Sequence, residues 1–173
     1  MYNTGNPKDC CILNHMEKII FLDIDGVLCV YPEIQQDWVS NTNSTLTDYC
    51  CRNLKAALDS TGAKLVITSS WRLREKDLDD LIWQLDWQGI SKDNIVGQTA
   101  DLSSDEKIKS HNELRWLEIK DYIDKHQIKE YVILDDFNLE KHDKQHLVRT
   151  KKHDGLTLKL TGVVINKLRK IEK

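Results

Sequence analysis

Two pairs of aspartates, each directly after an apolar run, stand out in this 173-residue sequence. Asp23 and Asp25 follow the run Ile-Ile-Phe-Leu, and Asp135 and Asp136 follow Val-Ile-Leu. Carboxylates brought this close together repel one another unless a cation lies between them. Asp oxygens suit Mg²⁺, and a bound Mg²⁺ can bridge to a phosphoryl group and make its phosphorus electrophilic. The two pairs therefore predict a magnesium site and chemistry on a phosphate.

The apolar runs before these aspartates predict buried strands, because both faces of each run are apolar. Gly26 lets the backbone turn after the first pair, which leaves the carboxylates at the carboxyl edge of a sheet. Trp83 and Trp87 are expected to pack against the sheet or its rim, with stacking on nucleic-acid bases as the alternative. Further strands are predicted at residues 64–68, 94–98 and 147–150, and helices at 46–60, 75–87, 112–126 and 158–171. This alternation predicts an α/β fold with a parallel sheet of about five strands and helices on both faces.

The segment Asp23-Ile-Asp-Gly-Val-Leu resembles the first motif of the haloacid dehalogenase (HAD) superfamily. Most members of that superfamily are Mg²⁺-dependent phosphatases that use an aspartyl-phosphate intermediate. By this resemblance Asp23 is the nucleophile and Asp25 a general acid and base. Asp135 and Asp136 resemble the fourth motif, with Asp135 as the better candidate for a metal ligand and Asp136 beside it. The alternative interpretation of the first motif is a strand that ends in a solvated Asp-Gly turn.

Hydroxyl residues end the second apolar run, Lys64-Leu-Val-Ile-Thr, and two serines follow it. This pattern resembles the second HAD motif, in which one Ser or Thr donates a hydrogen bond to the transferring phosphoryl group. Ser69 is the first candidate and Thr68 the second, because sequence alone does not fix the register at the end of a strand.

Trp71 and Arg72 complete the sequence Ser-Ser-Trp-Arg. This sequence after a strand resembles the capless HAD group named after the HAD domain of Swiss Army Knife RNA repair proteins. A guanidinium just beyond a phosphate site can bind a substrate phosphate through two hydrogen bonds. We therefore expect Arg72 to bind substrate. The alternative is that Arg72 pairs with a carboxylate close in sequence, such as Glu75 or Asp77.

A second cation is expected near the start of the helix at residues 112–126. The third HAD motif is a Lys or Arg at this place, where its charge neutralises the nucleophile and the phosphate. Arg115 stands three residues before Glu118-Ile119, which resembles the spacing in the capless group. By this resemblance Arg115 is preferred over the other candidates, which are Lys107, Lys109 and Lys120.

Length and charge set limits on the substrate. One domain is expected at residues 17–173, after a flexible leader at 1–16. The segment 29–44 and the interval from Arg72 to Arg115 are too short for a cap domain, so the site should be open. From residue 141 onwards there are ten Lys or Arg against three Asp or Glu. We therefore expect a phosphorylated macromolecule as substrate, either a protein (including phosphotyrosine) or a nucleic-acid end, although a solvated helix face explains the charge equally well.

Targeting signals are not evident in the sequence. No apolar run approaches the roughly 20 residues of a membrane span, and the amino-terminal residues lack the apolar core of a Sec signal. The five cysteines are an odd set without zinc-site spacing, which is typical of reduced thiols. The expectation is a cytoplasmic monomer without a membrane partner, with export by a specialised system left open.

Other chemistries fit the sequence less well. No Cys stands six positions before an Arg, as cysteine-dependent phosphatases require, and no glycine-rich phosphate loop is present. His142 and His146 have the spacing of metal ligands on a helix, but solvated histidines are the better interpretation. Two alternatives stay open: a catalytically weak HAD-fold module that binds phosphorylated partners, and a phosphatase or phosphotransferase that acts on small metabolites.

Overall fold

The computed structural model of the protein describes residues 17–30 and 45–170. Its strands are β1 (Lys18–Leu22), β2 (Lys64–Ile67), β3 (Ile95–Gln98), β4 (Glu130–Asp135) and β5 (Leu147–Arg149). Its helices are α1 (Asp48–Thr61), α2 (Glu75–Trp87), α3 (His111–His126), α4 (Glu140–Asp143) and α5 (Leu158–Lys170), and 3-10 turns cover Ser70–Leu73 and Lys92–Asn94. These five strands form one parallel sheet in the order β3-β2-β1-β4-β5, which confirms the predicted α/β fold.

β1 lies at the centre of the sheet, with β2 paired to one side and β4 to the other. In this register Leu22 pairs with both Ile67 and Leu134. The chain runs outward from β1 through β2 to β3, and then returns to the other side of β1 to form β4 and β5. The strand order therefore reverses between β1 and β4. A parallel sheet opens a crevice at the carboxyl ends of the strands at such a point, and ligands bind there.

The two faces of the sheet are covered by different helices, because successive side chains of a strand point to opposite faces. One core joins β1 to α1, α2 and α5 through buried side chains that include Ile20, Leu22, Leu54, Leu81 and Leu168. The other core joins β1 to α3 through Phe21, Ile119 and Tyr122. Helices therefore lie on both faces, as predicted, and α3 is the long helix on the second face.

Trp83 and Trp87 lie on the solvent side of α2, with 67% and 79% of their surface exposed. The prediction that they pack against the sheet or its rim was therefore wrong. Leu81 and Leu85 are the buried residues of this helix. Residues three or four positions apart share a helix face. Leu81 and Leu85 therefore share the buried face, and Trp83 and Trp87 share a different, exposed face. The two indole rings stack on each other at a centroid distance of 6.0 Å.

The two histidines with metal-ligand spacing do not share a helix, because α4 ends at Asp143. His146 Nδ1 lies 2.8 Å from Asp143 Oδ1. His142 stacks on the ring of Trp116. Each imidazole therefore has its own local partner, and the i, i+4 ligand geometry is not formed.

Two of the sequence-based predictions concern residues outside the described ranges. The leader at 1–16 lies wholly outside them, and the segment after β1 is described only as far as residue 30. Of the cysteines within the ranges, Cys29, Cys50 and Cys51 are buried. No helix in the described part of the chain has both the length and the apolar composition needed to cross a membrane.

Candidate active site

Three polar residues follow the last residues through which β1 pairs with its two neighbouring strands. Leu22 of β1 pairs with Ile67 of β2 and Leu134 of β4, and the residues after these three are Asp23, Thr68 and Asp135. Those preceding residues point into the core covered by α1, α2 and α5, so the strand period of two turns the polar side chains to the face covered by α3. The ladder continues past the strands, since Asp23 N donates to Leu134 O at 3.0 Å and Thr68 N donates to Leu22 O at 2.9 Å. The three polar side chains therefore meet at the carboxyl edge of the sheet.

Gly26 makes the turn that follows the first aspartate pair. Its φ of +75° lies in the left-handed region that L side chains rarely adopt. A Cβ on Gly26 would also lie 2.8 Å from Oδ2 of Asp136, so only glycine lets this carboxylate approach. Thr150 Oγ1 donates to the Gly26 carbonyl at 2.8 Å, which ties the turn to the end of β5. The segments that follow β1, β4 and β5 are thereby held together.

Asp23, Asp135 and Asp136 form a buried acidic cluster. Each offers a carboxylate oxygen, and these three oxygens all lie within 4.8 Å of one another. Burial raises the pKa of Asp135 to about 7, and the negative charges of Asp23 and Asp136 act in the same direction against the attraction of Arg115. Burial and Asp23 also raise the pKa of Asp136. Three hard oxygen ligands under this repulsion are suited to a divalent cation such as Mg²⁺.

Arg115 is the cation that the structure brings into this cluster. Its Nη1 lies 2.9 Å from Asp23 Oδ1 and 2.8 Å from Asp135 Oδ2, and its guanidinium carbon lies 5.1 Å from the centre of the Phe137 ring. Burial acts to lower the pKa of Arg115, but the attraction of Asp23 and Asp135 outweighs it, so the net pKa is raised. Arg115 therefore stays protonated and links the first and fourth motifs.

The start of α3 positions Arg115. Ser110 is the N-cap, and its side chain accepts a hydrogen bond from Glu113 N at 3.2 Å. The other candidates for this cation lie elsewhere: Lys107 and Lys109 are exposed in the loop before α3, and Lys120 forms a surface pair with Asp124. Among the four Lys and Arg residues considered from sequence, only Arg115 contacts the acidic cluster.

The two hydroxyl candidates have different surroundings. Thr68 Oγ1 accepts a hydrogen bond from Arg115 Nη1 at 3.2 Å. Ser69 Oγ is buried and has no hydrogen-bond partner among the described residues. A buried hydroxyl left without a partner is costly, which is expected where a ligand supplies the missing bond. Thr68 is therefore the hydroxyl that contacts Arg115, and Ser69 is the one with an unused donor.

Asp25 has a partner that the sequence did not reveal. The indole Nε1 of Trp71 donates to Asp25 Oδ2 at 3.0 Å. Trp71 lies in the 3-10 turn that follows β2, so this bond joins the ends of β1 and β2. Trp71 entered the sequence interpretation only as part of a motif, because a contact across 46 residues leaves no local pattern.

Removing the indole N–H should test this contact. We expect Trp71→Phe to fold and to lower kcat of any Asp25-dependent reaction by about tenfold or more, since a hydrogen bond to a charged group contributes about 1.5–3 kcal/mol. Steady-state kinetics of the purified variant measure the loss. Trp83→Phe makes the same change on the exposed face of α2 and should leave kcat unchanged. Equal kcat values for the two variants would contradict a role for Trp71.

Arg72 does not have the surroundings expected of a substrate ligand. An Arg side chain has five N–H donors, and the structure gives every one an acceptor. The acceptors are the carbonyl oxygens of Thr68, Ser69, Thr99 and Ala100 and the carboxylate of Glu118. The prediction that Arg72 binds a substrate phosphate conflicts with this geometry, because no donor remains. Its carboxylate partner is Glu118 rather than Glu75 or Asp77.

The acidic cluster should make stability depend on pH when no divalent metal is bound. The folded-state pKa of Asp135 is raised to about 7, above the unfolded value of about 3.9. The native state therefore binds more protons than the unfolded state between these values, and stability should fall as pH rises from about 4 to 7. Asp135→Asn should reduce this fall, and Mg²⁺ should reduce it in the wild type. Urea titrations with chelator test both effects, and an unchanged pH slope in Asp135→Asn would contradict them.

Comparison with known proteins agrees with this geometry. A family model described as the HAD domain in Swiss Army Knife RNA repair proteins matches residues 19–160. Apart from Lys18, the match covers all five strands, and it includes both aspartate pairs. The comparison with curated proteins finds no match. Since the family model covers well over half of the sequence, the chain belongs to the family of HAD domains found in Swiss Army Knife RNA repair proteins.

Proposed function

We propose that this protein is a Mg²⁺-dependent phosphatase that hydrolyses phosphomonoesters through an aspartyl-phosphate on Asp23. The observation that carries the proposal is the meeting of Asp23, Asp135, Asp136 and Arg115 at the carboxyl edge of the sheet. Membership of a HAD family supports a phosphatase of this type.

Asp23, Asp135 and Asp136 would hold the metal, together with the backbone carbonyl of Asp25. The fit rests on three buried carboxylate oxygens within 4.8 Å of one another. Burial raises the pKa of Asp135, and the negative charges of Asp23 and Asp136 act in the same direction. Bound Mg²⁺ would neutralise the charge on these acids and on the phosphoryl oxygens.

In the first step a carboxylate oxygen of Asp23 attacks phosphorus and the bond from phosphorus to the ester oxygen breaks. Asp25 gives its proton to the departing oxygen. Arg115 holds Asp23 in place and lies beside the developing negative charge. Ser69 would donate its unused hydrogen bond to a phosphoryl oxygen, with Thr68 as the second candidate.

In the second step Asp25, now a carboxylate, takes a proton from water while the water oxygen attacks phosphorus. The bond between phosphorus and Asp23 breaks, inorganic phosphate leaves, and the Asp23 carboxylate is regenerated. Trp71 orients Asp25 for both proton transfers through its indole N–H. The same acid and base therefore serves both steps.

A macromolecular substrate is favoured by what surrounds the site. Between β2 and α3 the chain forms only a 3-10 turn, α2, a second 3-10 turn, β3 and a loop, so this interval holds no inserted cap. Closure over a small ligand excludes water and recruits its binding energy, whereas a large substrate covers an open site itself. The family is described by its occurrence in RNA repair proteins, which makes a nucleic-acid end the first candidate and a phosphoprotein the second.

Cations at and just after the end of β5 would supply binding energy for such a substrate. Arg149 Nε donates to the Asp136 carbonyl at 3.1 Å, and Lys152 Nζ lies 3.9 Å from Asp136 Oδ2. Lys167, near the end of α5, lies at the opposite edge of the sheet, since it contacts the carbonyl of Gln145, just before β5. Among the described cations of this region, Arg149 and Lys152 would therefore contact substrate at the site, whereas Lys167 would not.

The experiment that tests this function compares matched phosphorylated substrates with Mg²⁺ present. They are 3′- and 5′-phosphorylated RNA and DNA oligonucleotides, phosphotyrosine and phosphoserine peptides, and sugar phosphates. We expect an oligonucleotide end to give the highest kcat/KM, with a value that falls as salt rises. Lys152→Glu should lower that value, whereas Lys167→Glu at the opposite edge should not. A sugar phosphate preferred tenfold or more, or activity insensitive to chelator, would contradict the proposal.

A further inference from the structure

We propose that Arg72 and Glu118 are a positioning pair that fixes the hydroxyl residues after β2 relative to Arg115 on α3. The inference rests on the proposed function, because it concerns the geometry of the same phosphate site. Neither residue contacts the acidic cluster directly; they act through the backbone and the helix that present Thr68, Ser69 and Arg115.

The Arg72 guanidinium joins the ends of β2 and β3. Nη1 donates to the carbonyls of Thr68 at 2.8 Å and Ser69 at 3.0 Å. Nε donates to the Thr99 carbonyl at 2.9 Å, and Nη2 donates to the Ala100 carbonyl at 3.0 Å. These carbonyls follow the last paired residues of their strands, where the sheet no longer supplies donors. The Arg72 side chain therefore supplies the hydrogen bonds that strand pairing no longer provides, and it fixes the backbone of both Thr68 and Ser69.

Glu118 connects this guanidinium to α3. Its Oε2 lies 2.7 Å from Arg72 Nη2, and both side chains are almost fully buried. Its Oε1 accepts a hydrogen bond from Leu102 N at 3.3 Å, which also holds the loop after β3. Glu118 follows Arg115 by three positions, so the two side chains lie on the same face of the helix, one turn apart.

Two sets of contacts connect the residues after β2 to α3 at the proposed phosphate site. Arg72 holds the carbonyl of Thr68, and Arg115 holds the hydroxyl of the same residue at 3.2 Å. Glu118 ties Arg72 to the helix that carries Arg115. A displacement of either element therefore changes the distance between the phosphate-binding hydroxyls and the cation that holds Asp23.

Energetics favour a geometric role for this pair over a simple stabilising one. Burial lowers the pKa of Arg72 and raises the pKa of Glu118. The attraction between the two charges acts in the opposite direction on each pKa, but burial has the larger effect. A buried pair of this kind adds little net stability compared with apolar side chains of similar size. What apolar side chains cannot provide is five hydrogen-bond donors in a rigid plane.

The test uses two conservative variants. Arg72→Lys keeps the positive charge but cannot reach all five acceptors, and Glu118→Gln keeps the shape but removes the negative charge. We expect kcat to fall about 100-fold in Arg72→Lys, as displacement of reacting groups by about 1 Å can produce, and about tenfold in Glu118→Gln. KM should stay within about threefold, because neither side chain binds substrate.

Two controls separate positioning from loss of stability. Arg74→Lys changes the neighbouring arginine, which pairs with Asp77 at the surface, and should leave kcat unchanged. Leu85→Ala lowers stability through a core cavity on α2, away from the site, and shows what stability loss alone does to kcat. Folded variants of Arg72 and Glu118 with kcat within threefold of wild type would overturn the proposal. So would losses no larger than that of Leu85→Ala.

Failure of the proposed function would look different. If the wild type shows no Mg²⁺-dependent turnover, or if Asp23→Asn retains it, the phosphatase mechanism itself is wrong. If Asp23→Asn is inactive and Arg72→Lys is not impaired, only the positioning role is wrong. If Arg72→Lys does not fold, Glu118→Gln decides the question by the same criteria.

Discussion

Asp23→Asn is expected to lower kcat by on the order of 10⁴-fold or more while the protein stays folded. An amide oxygen is a far weaker nucleophile than a carboxylate, so the bond to phosphorus does not form. The substitution preserves the size of the side chain and leaves an oxygen that can accept from Arg115, which lies 2.9 Å away in the wild type. Release of inorganic phosphate and a thermal melt, measured on the same preparation, test both parts of the prediction.

A control for this variant is Asp93→Asn, the same chemical change in the exposed turn before β3. Its kcat should equal that of the wild type. Rapid acid quenching of wild-type protein with substrate should also trap phosphate on the peptide that contains Asp23, and Asp23→Asn should trap none. A folded Asp23→Asn protein that keeps more than a tenth of wild-type kcat would exclude Asp23 as the nucleophile.

The parts of the fold and site that sequence could predict are those with a local signal. Continuous apolar runs, in which residues on both faces of the strand are apolar, locate the central strands. An acid directly after such a run must lie at the carboxyl edge of a parallel sheet. Asp23 and Asp135 are thereby predicted to lie at the same edge of the sheet. The face of α2 also had a local signal, since Leu78, Leu81 and Leu85 already define its buried stripe. Trp83 and Trp87 lie off that stripe, so the same spacing already places them on the exposed face.

The parts that could not be predicted depend on contacts between distant segments. Arg72 was expected to bind substrate, with pairing to a nearby carboxylate such as Glu75 or Asp77 as the alternative. Its partner is instead Glu118, which the crossover through β3 brings into reach. The N–H groups of Arg72 donate to backbone carbonyls that have no partner in the sheet where β2 and β3 end. No pattern of residues in the sequence indicates such carbonyls. The bond from Trp71 to Asp25 has the same origin, because it joins the ends of two neighbouring strands.

Arg115→Met is expected to reduce both stability and activity, because it removes the cation that contacts two buried acids. Removing one partner of a buried ion pair costs about 3–5 kcal/mol, since the remaining charge is left without compensation. In metal-free protein at neutral pH, Asp23 and Asp135 would lose the contacts to Nη1 at 2.9 and 2.8 Å. Turnover should fall strongly as well, because the oriented donor next to Asp23 is gone.

The pH and metal dependence of this variant distinguish an electrostatic loss from a packing loss. Arg115 lowers the pKa of Asp135, so its removal should raise that pKa further and let the acid take up a proton as pH falls. The destabilisation should therefore be largest near neutral pH, smaller at pH 5, and partly relieved by Mg²⁺. Lys120→Met, on the exposed side of the same helix, should change stability by no more than about 0.5 kcal/mol. Urea titrations of both variants at two pH values, with chelator and with Mg²⁺, measure these differences. A destabilisation of Arg115→Met that is independent of pH and Mg²⁺ would show that Arg115 contributes packing rather than charge to the acidic cluster.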